Sequence, residues 1–144
     1  MRCLITSFRC SHNLEAVWSA AVYQPKGYHY PKAEWADIRD ENGKWTRPRD
    51  FIGEEDPLLA YRQALLNLYA SRTNVVAQWL AQVSTFWGEF ALCCWCPYDR
   101  AAQRQLQEHG SFVCHTAVIG EHLEQHHGVQ VFYDNDRRLM KVLP

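Results

Sequence analysis

The apolar run CLITSF (residues 3–8) predicts a short buried strand. SAAVYQ (residues 19–24) predicts a second, ended by Pro25, which has no N–H to give a sheet ladder. From Pro25 to Gly53 the regular pattern lapses into an aromatic and polar stretch carrying Tyr28, His29, Tyr30, Trp35 and Trp45, with Asn42-Gly43 as its clearest turn. So long an irregular stretch inside a compact domain is more often a lid or binding loop than a linker, and residues 25–53 are expected to form one.

Helical periodicity then takes over. Asp56 is placed as an N-cap and Pro57 at the first helical position. Leu58, Tyr61, Leu65 and Leu68 follow at helical spacing, and Ser71 to Asn74 breaks the pattern. Val75, Val76, Trp79, Leu80 and Val83 predict a second helix, which Gly88 is placed to terminate. EFALCCW (residues 89–95) is a continuous apolar run of strand length, as expected of a central strand buried on both faces. Pro97 stops it, Asp99 caps a polar helix, and Gly110 closes that helix. HTAVIGEHLEQHH predicts a further helix ended by Gly128; VQVFY is a strand, DNDR a turn, and LMKVL a last strand or extended tail.

Strands alternating with helices predict a single α/β domain over residues 1–144. The expected form is a three-layer sandwich with a mostly parallel central sheet, to which the closing hairpin could add an antiparallel edge strand. The 144 residues suffice to bury a substantial core, and the chain shows no internal repeats. A net charge of -1 gives no sign of a nucleic-acid or anionic-membrane partner. No run approaches the roughly 18 apolar residues of a membrane span. The start, MRCLITSFRC, is too polar for a signal peptide, so a cytoplasmic location with reduced cysteines is expected.

Four of the six cysteines fall at Cys93, Cys94, Cys96 and Cys114, the last followed by His115. In an open α/β sheet, ligands collect at the C-terminal ends of strands, where Cys94 and Cys96 are expected. Cys114 and His115 are expected at a helix start, where N–H groups and the helix dipole favour an anion and lower a thiol pKa. Three readings follow. Cys94, Cys96, Cys114 and His115 could hold zinc or iron, although C-x-C and an adjacent Cys-His lack the C-x₂-C spacing of specific zinc motifs. Cys114 could be a nucleophile activated by the helix terminus, with a histidine as base. Or the sulfurs are packed as small hydrophobes, the better reading for Cys93, which strand alternation turns away from Cys94.

Other polar groups read more plainly. His122, His126 and His127 are expected on a solvated helix face; His122 and His126 have the i, i+4 spacing of a shared metal, but no third ligand is evident nearby. His12 and His29 are expected near strand ends and in the aromatic loop. Asp37, Arg39 and Asp40 read as a solvated turn before they read as substrate contacts, and Arg47 with Arg49 is a weak anion signal. No phosphate loop, nucleophile-elbow serine or metalloprotease helix is present.

At the cysteines the chain resembles the family catalogued as domain of unknown function 488. Members end a buried strand in a leucine, a cysteine, an aromatic and an acid, then place Cys-His-Arg at the start of an apolar helix followed by a G-I-x-V-like strand. Leu92 to Cys96 (LCCWC) looks like that strand end, and FVCHTAVIGEHLEQHHGVQV like the remainder. YQPKGYHYPKAEW is similar to a proline- and aromatic-rich segment of one branch, and Tyr61 to Leu68 to its first long helix. The Cys-Trp-Cys form is also similar to the related family numbered 4326. The matching positions are Cys94, Cys96, Cys114 and His115. The chain departs in having Cys96 for the acid, Thr116 for the arginine, and a longer segment from Tyr98 to Phe112. The resemblance implies a compact α/β fold with a Cys/His site and supplies no substrate.

The leading expectation is therefore a small thiol-dependent enzyme acting on a small polar or nucleotide-like ligand. Cys114 is the expected reactive group and His115 its proton carrier. Cys94, Trp95, Cys96, Thr116, Tyr28, Tyr30 and Trp35 are the expected ligand contacts. A zinc or iron site on the same sulfurs, and a non-catalytic binding module using the aromatic loop, are the alternatives. The sequence specifies no cofactor and no oligomeric state.

Overall fold

The computed structural model describes residues 1–11, 14–95, 100–110 and 113–133. Its strands are β1 (Arg2–Ser7), β2 (Val17–Ser19), β3 (Glu89–Cys94) and β4 (Gln130–Tyr133). Its helices are α1 (Pro57–Ala70), α2 (Thr73–Ser84), α3 (Arg100–His109) and α4 (His115–His127), preceded by short 3₁₀ turns at Phe8–Cys10, Glu34–Ala36 and Pro48–Phe51. The strands form one sheet in the order β2-β3-β1-β4, and every pairing is parallel. The α/β fold with a parallel sheet is thus the observed one. The antiparallel edge expected from LMKVL falls in residues 134–144, outside the described residues.

Strand alternation sorts the sheet into two faces. Cys3 and Ile5 of β1 and Phe90 and Leu92 of β3 face the helices, meeting Leu65 and Tyr69 of α1, Val76 and Leu80 of α2, and Ile119 and Leu123 of α4. The opposite face carries Val17, Ala91 and Cys93 beneath Phe8, Leu14, Tyr28 and Tyr30. The layers are therefore helices, sheet, and a covering of aromatic loop. No helix among the described residues is long and apolar enough to cross a membrane.

Several boundaries follow the chemistry read from the sequence. The Asp56 carboxylate accepts from the Leu59 N–H at 3.2 Å and Pro57 opens α1. Gly128 closes α4 with φ 65°, and Gly110 (φ 70°) follows α3. Asp99 and Pro97 lie outside the described residues.

Two boundaries differ. β2 is Val17–Ser19 and not SAAVYQ, because Trp18 is the side chain that packs helix-side, edge-on to Trp79 (5.4 Å) and Phe90 (6.4 Å). α2 ends at Ser84, well before Gly88: the Ser84 and Thr85 hydroxyls both donate back to the Ala81 carbonyl, and the Phe86 and Trp87 N–H groups both turn back to the Val83 carbonyl.

The segment expected to form a lid is partly core. Ser19 exchanges backbone hydrogen bonds with Pro31 and Ala33, so the loop covers the outer edge of β2. Ala33, Trp35 and Ala36 are then buried on the helix side. The guanidinium of Arg72 donates to the carbonyls of Trp35, Asp37 and Arg39 and ties this stretch to the start of α2. Asn42-Gly43 makes the expected turn, with Gly43 at φ 79°.

Candidate functional site

β1 and β3 are neighbours, and Ser7 pairs in register with Cys94 at their C-terminal ends. From there the chain leaves in opposite directions: β1 leads to β2 beyond β3, and β3 leads to β4 beyond β1. The Leu14 connection lies on the loop face, whereas α4 packs on the helix face. This is a topological switch point, where diverging connections open a crevice at the strand ends.

Cys94 is the last residue of β3 and continues the helix-side row of Phe90 and Leu92; Cys93 sits in the loop-side cluster. The expected division between these two cysteines is observed. Cys114 is the N-cap of α4, in extended conformation (φ -101°, ψ 123°), with its carbonyl accepting the Val118 N–H at 3.1 Å. The two elements bring the Sγ atoms of Cys94 and Cys114 to 3.6 Å, with both residues fully buried. The sulfurs are in hydrogen-bonding contact as thiols, well beyond the ~2.05 Å of a disulfide. Gln105 of α3 holds the approach to Cys114 in place, its side-chain oxygen accepting the Val113 N–H at 2.9 Å. The first N–H groups of α4 have no intrahelical acceptor, and the positive end of the helix dipole lies at Cys114.

The hydrogen bonds of His115 Nε2 run to the sheet and to Thr116 and not to the sulfurs. This nitrogen lies 3.0 Å from the Ala20 carbonyl and 3.4 Å from the Thr116 hydroxyl. A carbonyl only accepts, so Nε2 carries the proton there and Nδ1 is the nitrogen left to act as a base. Ala20 in turn donates its N–H to the Cys93 carbonyl at 2.8 Å, so His115 links the start of α4 to the sheet. Thr116 is fully buried.

The expected aromatic contacts divide. Tyr28 and Tyr30 pack around Phe8 at centroid distances of 5.3 and 6.4 Å, and Trp95 stands edge-on to Phe8 at 5.8 Å. Trp95 is 43% exposed and donates Nε1–H to the Tyr23 carbonyl at 2.8 Å. Gln24 clamps Tyr30 through both backbone groups, and the Tyr30 hydroxyl meets Ser11 Oγ at 2.8 Å. These rings belong to the loop face, so the strand ends separate a sulfur side from an aromatic side. Trp35 joins neither. It is a core residue, 4% exposed and edge-on to Trp79 at 5.4 Å. Cys96 and His12 lie outside the described residues.

Sequence reading missed Phe8, around which the aromatic side is built, and the Ala20 carbonyl that engages His115. A phenylalanine at the end of an apolar run carries no functional signal until the strand order is known. Asp37 was read as a solvated turn residue but is buried, accepting hydrogen bonds from Lys32 and Arg39. His122 also departs from expectation: it is 2% exposed, not on a solvated face. Burial, then the neighbouring His127 and His126, lower its pKa to about 4, so its imidazole is neutral at pH 7.

Two cavities open away from the sulfurs. One of about 490 Å³ lies over the loop face between Leu4, Leu14, Trp87 and Phe132. Another, of about 780 Å³, lies between Glu34, Asp37, Arg39 and Arg72. Among the described residues no group of three or more His, Cys, Asp or Glu side chains is placed to hold a metal ion. No family model matches the chain, and neither does any curated protein or solved structure.

Proposed function

We propose that the chain is a thiol-dependent enzyme whose chemical centre is the Cys94–Cys114 pair, acting on a small polar ligand at the switch point. The observation that carries this reading is the 3.6 Å approach of the two sulfurs, one at a strand end and the other capping a helix. Two thiols so placed suit thiol–disulfide exchange. Burial disfavours a thiolate at Cys114, and the helix terminus acts against burial in its favour. That thiolate attacks one sulfur of a small disulfide; the new S–S bond forms as the old one breaks, and the departing thiolate takes a proton. Cys94 then loses its proton, to His115 Nδ1 or water, and attacks Cys114 Sγ. The second substrate thiol leaves, and an external dithiol returns the protein to its reduced form. This chemistry suits a reducing compartment such as the cytoplasm.

Incubation of the folded, reduced protein with a small disulfide such as oxidised glutathione tests the reading. The expected product is an intrachain Cys94–Cys114 disulfide, identified by peptide mass spectrometry, and Cys94→Ser should instead trap a mixed disulfide on Cys114. Recovery of both thiols unmodified, with Cys114 no more reactive than a model thiol of pKa near ~8.5, would sink it.

A binding module is the second reading, favoured by the exposed Trp95 ring beside Phe8, Tyr28 and Tyr30. Ligand-induced quenching of tryptophan emission that survives Cys114→Ser and is lost in Trp95→Ala would support it. The zinc or iron alternative has two sulfurs in contact and His115 committed to Ala20.

A further inference from the structure

Cys114 and His115 are consecutive, but their side chains engage different parts of the sheet. The Cys114 sulfur meets that of Cys94 at 3.6 Å, while His115 Nε2 donates to the Ala20 carbonyl at 3.0 Å. Ala20 follows β2 directly, and its own N–H is held by the Cys93 carbonyl at 2.8 Å. Three residues on, the Tyr23 carbonyl accepts the indole N–H of Trp95 at 2.8 Å, and Trp95 follows Cys94 in the chain. The contacts close a circuit from Cys114 through His115, Ala20, Tyr23, Trp95 and Cys94 back to Cys114. Its sulfur side is fully buried, whereas Tyr23 is 68% and Trp95 43% exposed.

The sulfur contact is the link that redox chemistry changes. A disulfide holds its sulfurs ~2.05 Å apart, so oxidation draws this pair together by about 1.5 Å. Both side chains lie in close-packed surroundings, so the approach moves the start of α4 as well as the sulfurs. We propose that His115 is the positioning residue through which the oxidation state of the Cys94–Cys114 pair is carried to the exposed Trp95–Tyr23 surface. The inference rests on the thiol reading and adds its regulation. As the N-cap of α4 closes on β3, His115 draws Ala20 with it. Ala20 begins the segment that leads to Tyr23 and to Gln24, whose side chain clamps Tyr30 through both backbone groups. The dithiol and disulfide forms thus present different outer surfaces, and a ligand that prefers one of them shifts the thiol–disulfide equilibrium by the same factor.

Hydrogen–deuterium exchange of the whole chain, reduced and after treatment with oxidised glutathione, is the test, with the disulfide scored by peptide mass spectrometry. Amide exchange within residues 20–30 should differ about threefold or more between the two forms. His115→Leu, checked for folding by circular dichroism, removes the donor and should abolish that difference while the disulfide still forms. His115→Gln replaces the donor at the Nε2 position and should keep it. A confirmed disulfide with unchanged exchange over residues 20–30 would overturn this inference and leave the thiol reading standing, and this wild-type comparison decides even where His115→Leu does not fold. The same difference in folded His115→Leu, or its loss in His115→Gln, would overturn the role of His115. Failure of any Cys94–Cys114 disulfide to form would overturn the thiol reading and this inference together.

Discussion

The hydroxyl of Tyr69, fully buried on α1, donates to the carbonyl oxygen of Ala36 at 3.0 Å, joining the first long helix to the loop that precedes it. Burial pushes the phenol well above its ordinary pKa, so the group remains a donor at any pH at which the fold survives. Tyr69→Phe keeps the ring and removes the donor. The expected cost is about 1–2 kcal/mol, read as a lower urea midpoint with unchanged slope.

Arg72 continues the same attachment one turn later. Its guanidinium satisfies three loop carbonyls at once, those of Trp35, Asp37 and Arg39. Arg72→Ala should cost about 2–3 kcal/mol, and Arg72→Lys should recover little, because an ammonium cannot reproduce the planar fork. Trp35 emission should shift to longer wavelength in both variants as the loop loosens, and a blue-shifted spectrum like that of the wild type would count against this account.

Gly120 in the middle of α4 lies close against β1 and β4. A Cβ there would stand 3.0 Å from both the Tyr133 hydroxyl and Val131 Cγ1, and 3.4 Å from Ile5 Cγ1. Helix propensity alone favours Gly→Ala by about 1 kcal/mol. The crowding reverses that sign, and Gly120→Ala should destabilise by about 1–3 kcal/mol in thermal or urea unfolding.

Asp37 supplies an acid-sensitive contribution. Burial alone would raise its pKa, but the hydrogen bonds from Arg39 and Lys32 outweigh burial and hold the carboxyl well below the usual range. In the unfolded chain the same group takes its proton near pH ~3.9. The contribution is therefore fully present above that pH and is lost as pH falls toward the lower folded pKa. Asp37→Asn should flatten the fall of the urea midpoint between pH 5 and pH 2 and lower stability at pH 7. Equal acid slopes in the two proteins would refute the assignment.

What was legible in the sequence is what local chemistry decides. Asp56-Pro57 starts a helix and Gly128 ends one because caps and positive φ act within a single turn. Cys93 and Cys94 part because strand alternation is fixed. Trp35 was not legible: an aromatic in a long loop reads alike whether it walls a pocket or plugs a core, and Trp79, Tyr69 and Arg72, which decide the matter, lie far along the chain. His122 was misread because three histidines at a helix end look solvated when only their own helix is considered. The contact of Cys94 with Cys114 was expected as a neighbourhood, but its 3.6 Å depends on the register of β1 with β3 and the packing of α4, which no local pattern encodes.

The strand order has a consequence in time. β1 lies between β3 and β4, and its first partner is the segment beginning at Glu89. During synthesis the apolar side chains of Cys3, Leu4 and Ile5 must therefore wait, unpaired, until α1 and α2 have been made and β3 has emerged. For that interval the early strand is a sticky edge, and the rate at which ribosomes traverse residues 8–94 sets how long it stays one.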